Sequence, residues 1–330
     1  MTVARTLFSK GHGLMQIFIS VLFFLSIALS AAVANAPYLL VQDPLAENLE
    51  CEISICKVIP KAYLGRSFTE IEMLANEGDA IAQLRMAAFF YEGVVVSRDW
   101  SVAESWTQKS ADQGNVGAMY FLATIYFLGD SEANYAKALK LFYLSSERGY
   151  SRSNYMLGEI YRAGWGVEKN LKIAVDFYKL SAKEGDADGQ YALGTSYSLG
   201  VGVKADAEEA MRWLQASAKQ GNPQAQYFLG LLFRSGEGAR LDPRLAFDWF
   251  MKAAKQGHAE AEFTIGVYFQ GGEVVQKDYQ KAFSWFQKSA LQGNEHGQLQ
   301  LARSLHYGQG VERNYEEALA WYKASAEQGN

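Results

Sequence analysis

The sequence predicts an all-α protein, an α/α superhelical solenoid of about seven helix-turn-helix repeats of 36 residues. Three observations carry this prediction. Glycine recurs at Gly78, Gly114, Gly149, Gly185, Gly221, Gly257, Gly293 and Gly329, with six intervals of 36 residues and one of 35. Fifteen residues after each of the first seven marks stands a second glycine: Gly93, Gly129, Gly164, Gly200, Gly236, Gly272 and Gly308. Fifteen residues before each of the last seven stands Asp or Asn: Asp99, Asn134, Asn170, Asp206, Asp242, Asp278 and Asn314. A fixed period of this length marks one supersecondary unit copied in tandem.

Each unit opens with a helix, A. Four positions after the mark glycine comes a small residue, at eight an aliphatic, at nine usually glycine or alanine, and at twelve an aromatic, as in Ala225, Leu229, Gly230 and Phe233 or Ala118, Leu122, Ala123 and Tyr126. Spacings of four, four and three share one helical face, and the glycine at fifteen can take the left-handed conformation that ends a helix. The Asp or Asn then caps a second helix, B, and Pro243 after Asp242 suits a first helical position because its missing amide costs nothing there. Helix B carries a small residue at Ala103, Ala138, Ala174, Ala210, Ala246, Ala282 and Ala318, with a large one three positions on at Trp106, Leu141, Phe177, Trp213, Trp249, Trp285 and Trp321. Both are expected to pack against neighbouring helices.

These residues resemble the Sel-one-like repeat (SLR) family, a bacterial-type relative of tetratricopeptide arrays. Its pattern is matched by Ala210, Trp213, Ala218, Gly221, Asn222, Ala225, Gln226, Leu229, Gly230, Phe233, Gly236 and Gly238, and the resemblance runs over residues 79–330. Departures are local: Tyr150 follows Gly149, the second unit is one residue short between Leu128 and Glu132, and Ala302 replaces the glycine of the last helix A. Hydrophobic residues at 49% and aromatics at 14% supply ample core, and stacked units share it as one elongated domain.

Ahead of the array the material changes. Arg5 and Lys10 precede 21 uncharged residues from Leu14 to Ala34, the layout of a secretory signal over residues 1–34, with Ala32-Val33-Ala34 as the cleavage pattern. The alternative is an uncleaved inner-membrane anchor facing the periplasm, since such a stretch can span a bilayer core of about 30 Å. Either reading exports the repeats, and the absence of any Asn-x-Ser/Thr site favours a bacterial periplasm. Residues 35–66 read as a lead-in in which Cys51 and Cys56, the only cysteines, can form a disulfide in an oxidising compartment. Residues 67–78 read as a degenerate N-terminal cap helix, because an end unit must cover a core edge with atypical residues.

Loss of Arg5 and Lys10 would take the formal charge from −5 to −7. An acidic chain is a poor match for the phosphates of nucleic acid. No G-x-S-x-G elbow, H-E-x-x-H helix or phosphate loop occurs, and Gly200-Val201-Gly202 and Gly236-Glu237-Gly238 fall in turns the repeat itself requires. His258, directly after a mark glycine, reads as an exposed turn, while His296 and His306 are separated by about 15 Å of helix, too far to share a metal ion. Carboxylates such as Asp206, Glu208 and Glu209 gather at helix B starts, where they favour the helix dipole. No catalytic residue, cofactor or metal site is therefore expected.

Function is expected on surface that varies between copies. Offsets six, ten and thirteen form one face of helix A, distinct from the packing set. Its first column is mostly aromatic, including Tyr155, Tyr191 and Tyr227, and either packs on the adjacent helix or meets a ligand. The second column includes Glu159 and Arg303, and the third changes in every unit: Tyr91, Phe127, Arg162, Ser198, Arg234, Gln270 and His306. The resemblance to tetratricopeptide arrays implies that this face lines a concave groove, and hence a protein or peptide partner in the cell envelope. A carbohydrate or cell-wall fragment is the alternative, since tyrosines stack on sugar rings, and a hydrolase is the least supported reading. Arg162 and Arg234, two units apart, would suit a ligand bearing carboxylates.

Overall fold

The computed structural model describes residues 61–93, 95–129, 131–236 and 238–329. The proposed signal, its cleavage point after Ala34, and Cys51 with Cys56 lie outside these residues. A short helix α1 (Lys61–Leu64) leads to α2 (Phe68–Asn76), held at its start by a reciprocal capping box between Ser67 and Glu70. Seven A–B pairs follow: α3 (Ala80–Glu92) with α4 (Trp100–Asp112), α5 (Val116–Leu128) with α6 (Glu132–Glu147), α7 (Ser151–Ala163) with α8 (Leu171–Lys183), and α9 (Ala187–Leu199) with α10 (Ala207–Lys219). The last three are α11 (Pro223–Ser235) with α12 (Pro243–Lys255), α13 (Ala259–Gly271) with α14 (Tyr279–Leu291), and α15 (Glu295–Tyr307) with α16 (Tyr315–Glu327). From α2 to α16 successive helices pack against one another, with no strand among the described residues. This is an all-α solenoid.

The local chemistry repeats with the sequence. Six of the seven A helices end on a left-handed glycine: at Gly236, φ is 76° and the amide donates to Leu232 O. The mark glycines between units are left-handed too, from 81° at Gly257 to 100° at Gly78. Asp242 caps α12 by accepting from the amides of Arg244 and Leu245, while its own amide donates to Phe233 O at 2.8 Å. The same backbone bond ties Asp99 to Phe90, Asn170 to Tyr161, Asp206 to Tyr197, Asp278 to Phe269 and Asn314 to Leu305. One Asp or Asn thus starts helix B and pins the end of helix A.

The short second unit departs from this plan. Gly129 is right-handed at φ −70°, and α6 starts early, capped by Ser131, whose hydroxyl accepts from the amide of Asn134. Asn134 is therefore not the cap expected from the period. With one residue fewer in the turn, the chain enters helix B before the Asn is reached.

The core also differs from expectation in one repeated detail. The large helix B residue three positions after the small one is only half-buried at Trp106, Trp213, Trp249 and Trp285. The following residue fills the interior: Tyr178 is 2% exposed, and Leu214, Phe250 and Phe286 are fully buried. Each tops a glycine of its own helix A, and a Cβ added to Gly230 or Gly266 would stand 2.5 Å from the ring of Phe250 or Phe286. The glycine at offset nine is the seat of a large buried side chain, while in the first unit Ala87 shares the core with the smaller Thr107. The tryptophans instead lie across unit boundaries with cations over their faces, as Lys252 over Trp249 at 3.9 Å and Lys288 over Trp285 at 4.3 Å.

A polar ladder that the period did not reveal runs through the stack. The glutamine before four of the mark glycines reaches a buried helix A glutamine 30 residues earlier: Gln113 to Gln83, Gln220 to Gln190 and Gln256 to Gln226, each at 2.8 Å, and Gln328 to Gln298 at 2.9 Å. Gln83, Gln190 and Gln226 in turn donate to the carbonyls of Ala75, Ala182 and Ala218. Buried serines add a second rail, with Ser110, Ser217, Ser289 and Ser325 donating to Ala80, Ala187, Ala259 and Glu295 carbonyls. Every buried amide so engaged avoids the cost of an unmade hydrogen bond.

Candidate functional site

The face at offsets six, ten and thirteen divides into packed and open parts. Tyr91 is 5% exposed, held edge-on by Trp100 and Phe121, so it offers a partner almost no area. The first column proves to be packing: Tyr120 lies on Phe142 and Tyr150, Tyr155 on Tyr178, Tyr191 against Phe228, and Tyr227 on Phe250. Burial pushes the Tyr191 phenol up to about 12 and raises that of Tyr155 well above its ordinary value, as expected of rings set between helices. Phe127 is half-buried on Trp165 and Tyr135.

The third unit brings two of the candidate residues, Glu159 and Arg162, together with Tyr178 of helix B. Glu159 receives Arg162 through Nε at 3.0 Å and Nη2 at 2.6 Å, and Tyr178 donates its hydroxyl to the same carboxylate at 2.5 Å. A bidentate pair on one helix with a buried phenol behind it fixes the guanidinium. Arg162 is therefore not the open cation that its spacing implied. Arg152, on the same helix, is likewise engaged with Asp188 at 2.7 Å and Asp186 at 3.6 Å.

Further along, the face opens. Arg234 is exposed, its guanidinium 5.6 Å from the Phe250 ring centre, and no carboxylate among the described residues pairs with it. It borders a cleft of about 400 Å³ between the fifth and sixth units, floored by Phe263, Val267, Tyr268 and Val274 with Glu273 on the rim. Val267 is 40% exposed there. Ser198 is half-buried, Gln270 reaches Gln309 at 3.4 Å, Arg303 is exposed, and His306 stacks on Tyr307 at 4.6 Å.

A second cleft, polar and about 620 Å³, lies at the starts of α7, α9 and α11, lined by Tyr150, Arg152, Asp188, Asn222 and Gln224 among others. Asn222 Nδ2 donates to Asp188 Oδ1 at 2.8 Å, so this network joins three successive units.

His258 is not the exposed turn that its place after a mark glycine suggested. Its Nδ1 accepts from the amide of Ala261 at 3.2 Å, capping α13, and its ring stacks on Tyr227 at 4.7 Å. Burial lowers its pKa, opposed by Glu260 3.6 Å away. In the sixth unit the ladder position carries Glu262, 4% exposed, which accepts from Gln292 at 2.6 Å and whose carboxyl is raised by burial. No grouping of three or more His, Cys, Asp or Glu able to hold a metal ion occurs among the described residues.

Comparison with known proteins agrees with this architecture. The family model for the Sel1 repeat matches seven times in succession, over residues 80–115, 116–150, 151–186, 187–222, 223–258, 259–294 and 296–330. A putative sel1-like repeat-containing protein, L21, of Acanthamoeba polyphaga mimivirus is 30% identical over 116 residues, covering 33% of this chain and 21% of that one. The Arabidopsis thaliana protein HRD3B, an ERAD-associated E3 ubiquitin-protein ligase component, is 29% identical over 108 residues, 32% of this chain and 17% of its own length. The region matched is thus about a fifth of the length of these curated relatives. Among solved structures, c5321, a protective antigen of uropathogenic Escherichia coli displaying an SLR fold, superposes with a TM-score of 0.65 at 29% identity, over 80% of this chain and 57% of that one. A Sel1 repeat protein from Oxalobacter formigenes gives 0.63 at 28% identity, over 80% and 76%. With the repeat model matching nearly the whole described array, this chain belongs to the Sel1 repeat family.

Proposed function

We propose that the chain is an exported, non-enzymatic scaffold of the bacterial cell envelope that binds a protein or peptide along the helix A face of its solenoid. The observation that carries this is the division of that face: its aromatic columns are spent on packing, while around Arg234 and Val267 an exposed cation and apolar side chains surround a preformed cleft. Side chains fixed by packing recur from unit to unit, and these do not. HRD3B is by its description a component of a larger ligase assembly, which is in keeping with a scaffold role for repeats of this kind. A pull-down from envelope extract with the mature chain tests the reading. Specific retention of a protein, lost on substitution at the helix A face and kept on substitution at exposed helix B residues, is the expected result; the reverse pattern overturns it.

The polar cleft beside Tyr150 favours carbohydrate as a second reading, because carboxylate, guanidinium and amide groups together can bond sugar hydroxyls. Titration of the chain with soluble cell-wall fragments decides between the two. The proposed address is the periplasm, with the signal removed after Ala34. Intact mass of the secreted chain should begin at Asn35, and recovery of residues 1–34 in a membrane-bound chain would establish the anchored alternative.

A further inference from the structure

We propose that the cleft between the fifth and sixth units receives the C-terminal residue of a partner polypeptide, with its carboxylate on Arg234 and an apolar side chain on Phe263, Val267 and Val274. This rests on the peptide-binding reading and makes it specific.

The helix A arginines differ in what already holds them. Glu159 holds Arg162 in two hydrogen bonds, and Asp186 and Asp188 hold Arg152. Arg234 has neither kind of partner among the described residues, and its guanidinium lies beside the cleft, 5.6 Å from the Phe250 ring centre. Its planar fork of donors is left for a carboxylate. The floor adjoining it is apolar, with Val267 40% exposed. At about 400 Å³ the cleft falls in the size range of small-ligand sites, roughly 300–1,000 Å³, rather than that of a groove for a long segment.

The remaining groups suit the same occupant. Tyr268 lines the cleft with Arg234 and Glu273, and burial raises the pKa of its phenol, which stays protonated as a hydrogen-bond donor. Glu273 on the rim accepts hydrogen bonds and matches the last peptide N–H of an incoming chain. A C-terminal residue carries its carboxylate, its side chain and its N–H on one Cα, so all three fall within one small cleft. An internal acidic residue does not meet this condition, because in an extended chain the side chains on either side of it point to the opposite face.

The test uses the full chain and fluorescein-labelled hexapeptides Gly-Ser-Gly-Ser-Ala-Xaa, with Leu, Phe or Ser at the last position, each as free acid and as amide, read by fluorescence polarisation. The Leu or Phe acids are expected to bind at least tenfold more tightly than their amides and than the Ser acid. Arg234→Ala should abolish the acid-over-amide preference, and Val267→Glu the apolar preference. Both positions are exposed, so circular dichroism and melting should stay unchanged. Equal binding of acid and amide, an unchanged Arg234→Ala, or no binding of any hexapeptide overturns the proposal. An envelope partner still captured in full by Arg234→Ala would do the same while leaving the scaffold reading intact, and capture of no partner by the unsubstituted chain would remove both.

Discussion

In the fifth unit, α11 is capped by Asn222 and carries Gln226 in the interior; in the sixth, α13 is capped by His258 and carries Glu262 at the same two places. The ladder partner and the ring on the helix A glycine are shared. Gln256 bonds Gln226 and Gln292 bonds Glu262, and Phe250 and Phe286 sit on Gly230 and Gly266 with the same 2.5 Å clearance to an added Cβ. The contrast shows what the repeat constrains. A cap must accept a hydrogen bond and a ladder residue must reach its partner, and a titratable group meets both demands at the expense of making one unit sensitive to pH.

If the two units are equivalent in packing, Phe250→Ala and Phe286→Ala should each destabilise by about 3–5 kcal/mol, because each empties a fully buried site that its glycine cannot fill. Urea unfolding followed by circular dichroism measures both. A difference beyond about 1.5 kcal/mol would break the equivalence. Trp213→Ala should cost less than either, since Trp213 is half-buried and its Nε1 is bonded to the partly exposed Glu209.

Next in size is the seat itself. Gly230→Ala should cost about 1–3 kcal/mol by overpacking against Phe250. Adding Phe250→Thr recreates the Ala87 and Thr107 pairing of the first unit, so the double variant should be more stable than the sum of its parts. Strict additivity in that cycle would show that the first unit solves its packing elsewhere.

Periodicity made the helices, their glycine stops and most caps legible, because each depends on one residue type at a fixed spacing. The second unit escaped: Ser131 took over from Asn134 once the turn lost a residue, and the period of a one-dimensional pattern carries no turn geometry. The tryptophans misled for another reason. Size and regularity marked Trp213 and Trp249 as core, yet Leu214 and Phe250, one residue on, face the glycine, and only the direction of the side chain separates them. On the candidate face the sequence brought out Arg162 and Arg234 together. Glu159, three residues before Arg162, was the available sign that one would be paired, and no acid occupies the equivalent place at Leu231. The cleft beside Arg234 joins residues from two units and has no signature in either.

The pH contrast should appear first at the cap. His258 accepts through an unprotonated Nδ1, and burial lowers its pKa in the folded chain below the unfolded value of about 6.5. Its contribution is therefore complete above about pH 6.5 and is lost as the pH falls through the lower folded value. The loss should reach about 1–2 kcal/mol, the upper range for a helix cap. His258→Asn, which restores the residue of the fifth unit, should remove this slope, as stability measured from pH 5 to 8 will show. An unchanged slope would assign the pH dependence to groups other than His258, since an imidazolium has no acceptor left for the Ala261 amide.

The smallest effect, and the sharpest test of the comparison, lies at Glu262. Burial raises its carboxyl above the unfolded value of about 4.3, so the folded chain holds that proton more tightly than the unfolded one. The associated stability is present below about pH 4.3 and is lost as the pH rises through the folded value, opposite in sign to the His258 contribution. Lys288 and Gln292, which face the carboxylate, both limit the rise without removing it. Glu262→Gln keeps the contact with Gln292, abolishes the buried charge, and adds an amide donor of the kind that Gln226 gives to Ala218 O. At neutral pH the variant should gain about 0.5–1 kcal/mol, the worth of one net hydrogen bond, and the gain should vanish below about pH 4 where Glu262 is protonated. A gain that persists at low pH would assign the difference to the amide donor alone, and a loss at neutral pH would show that the sixth unit depends on its charge.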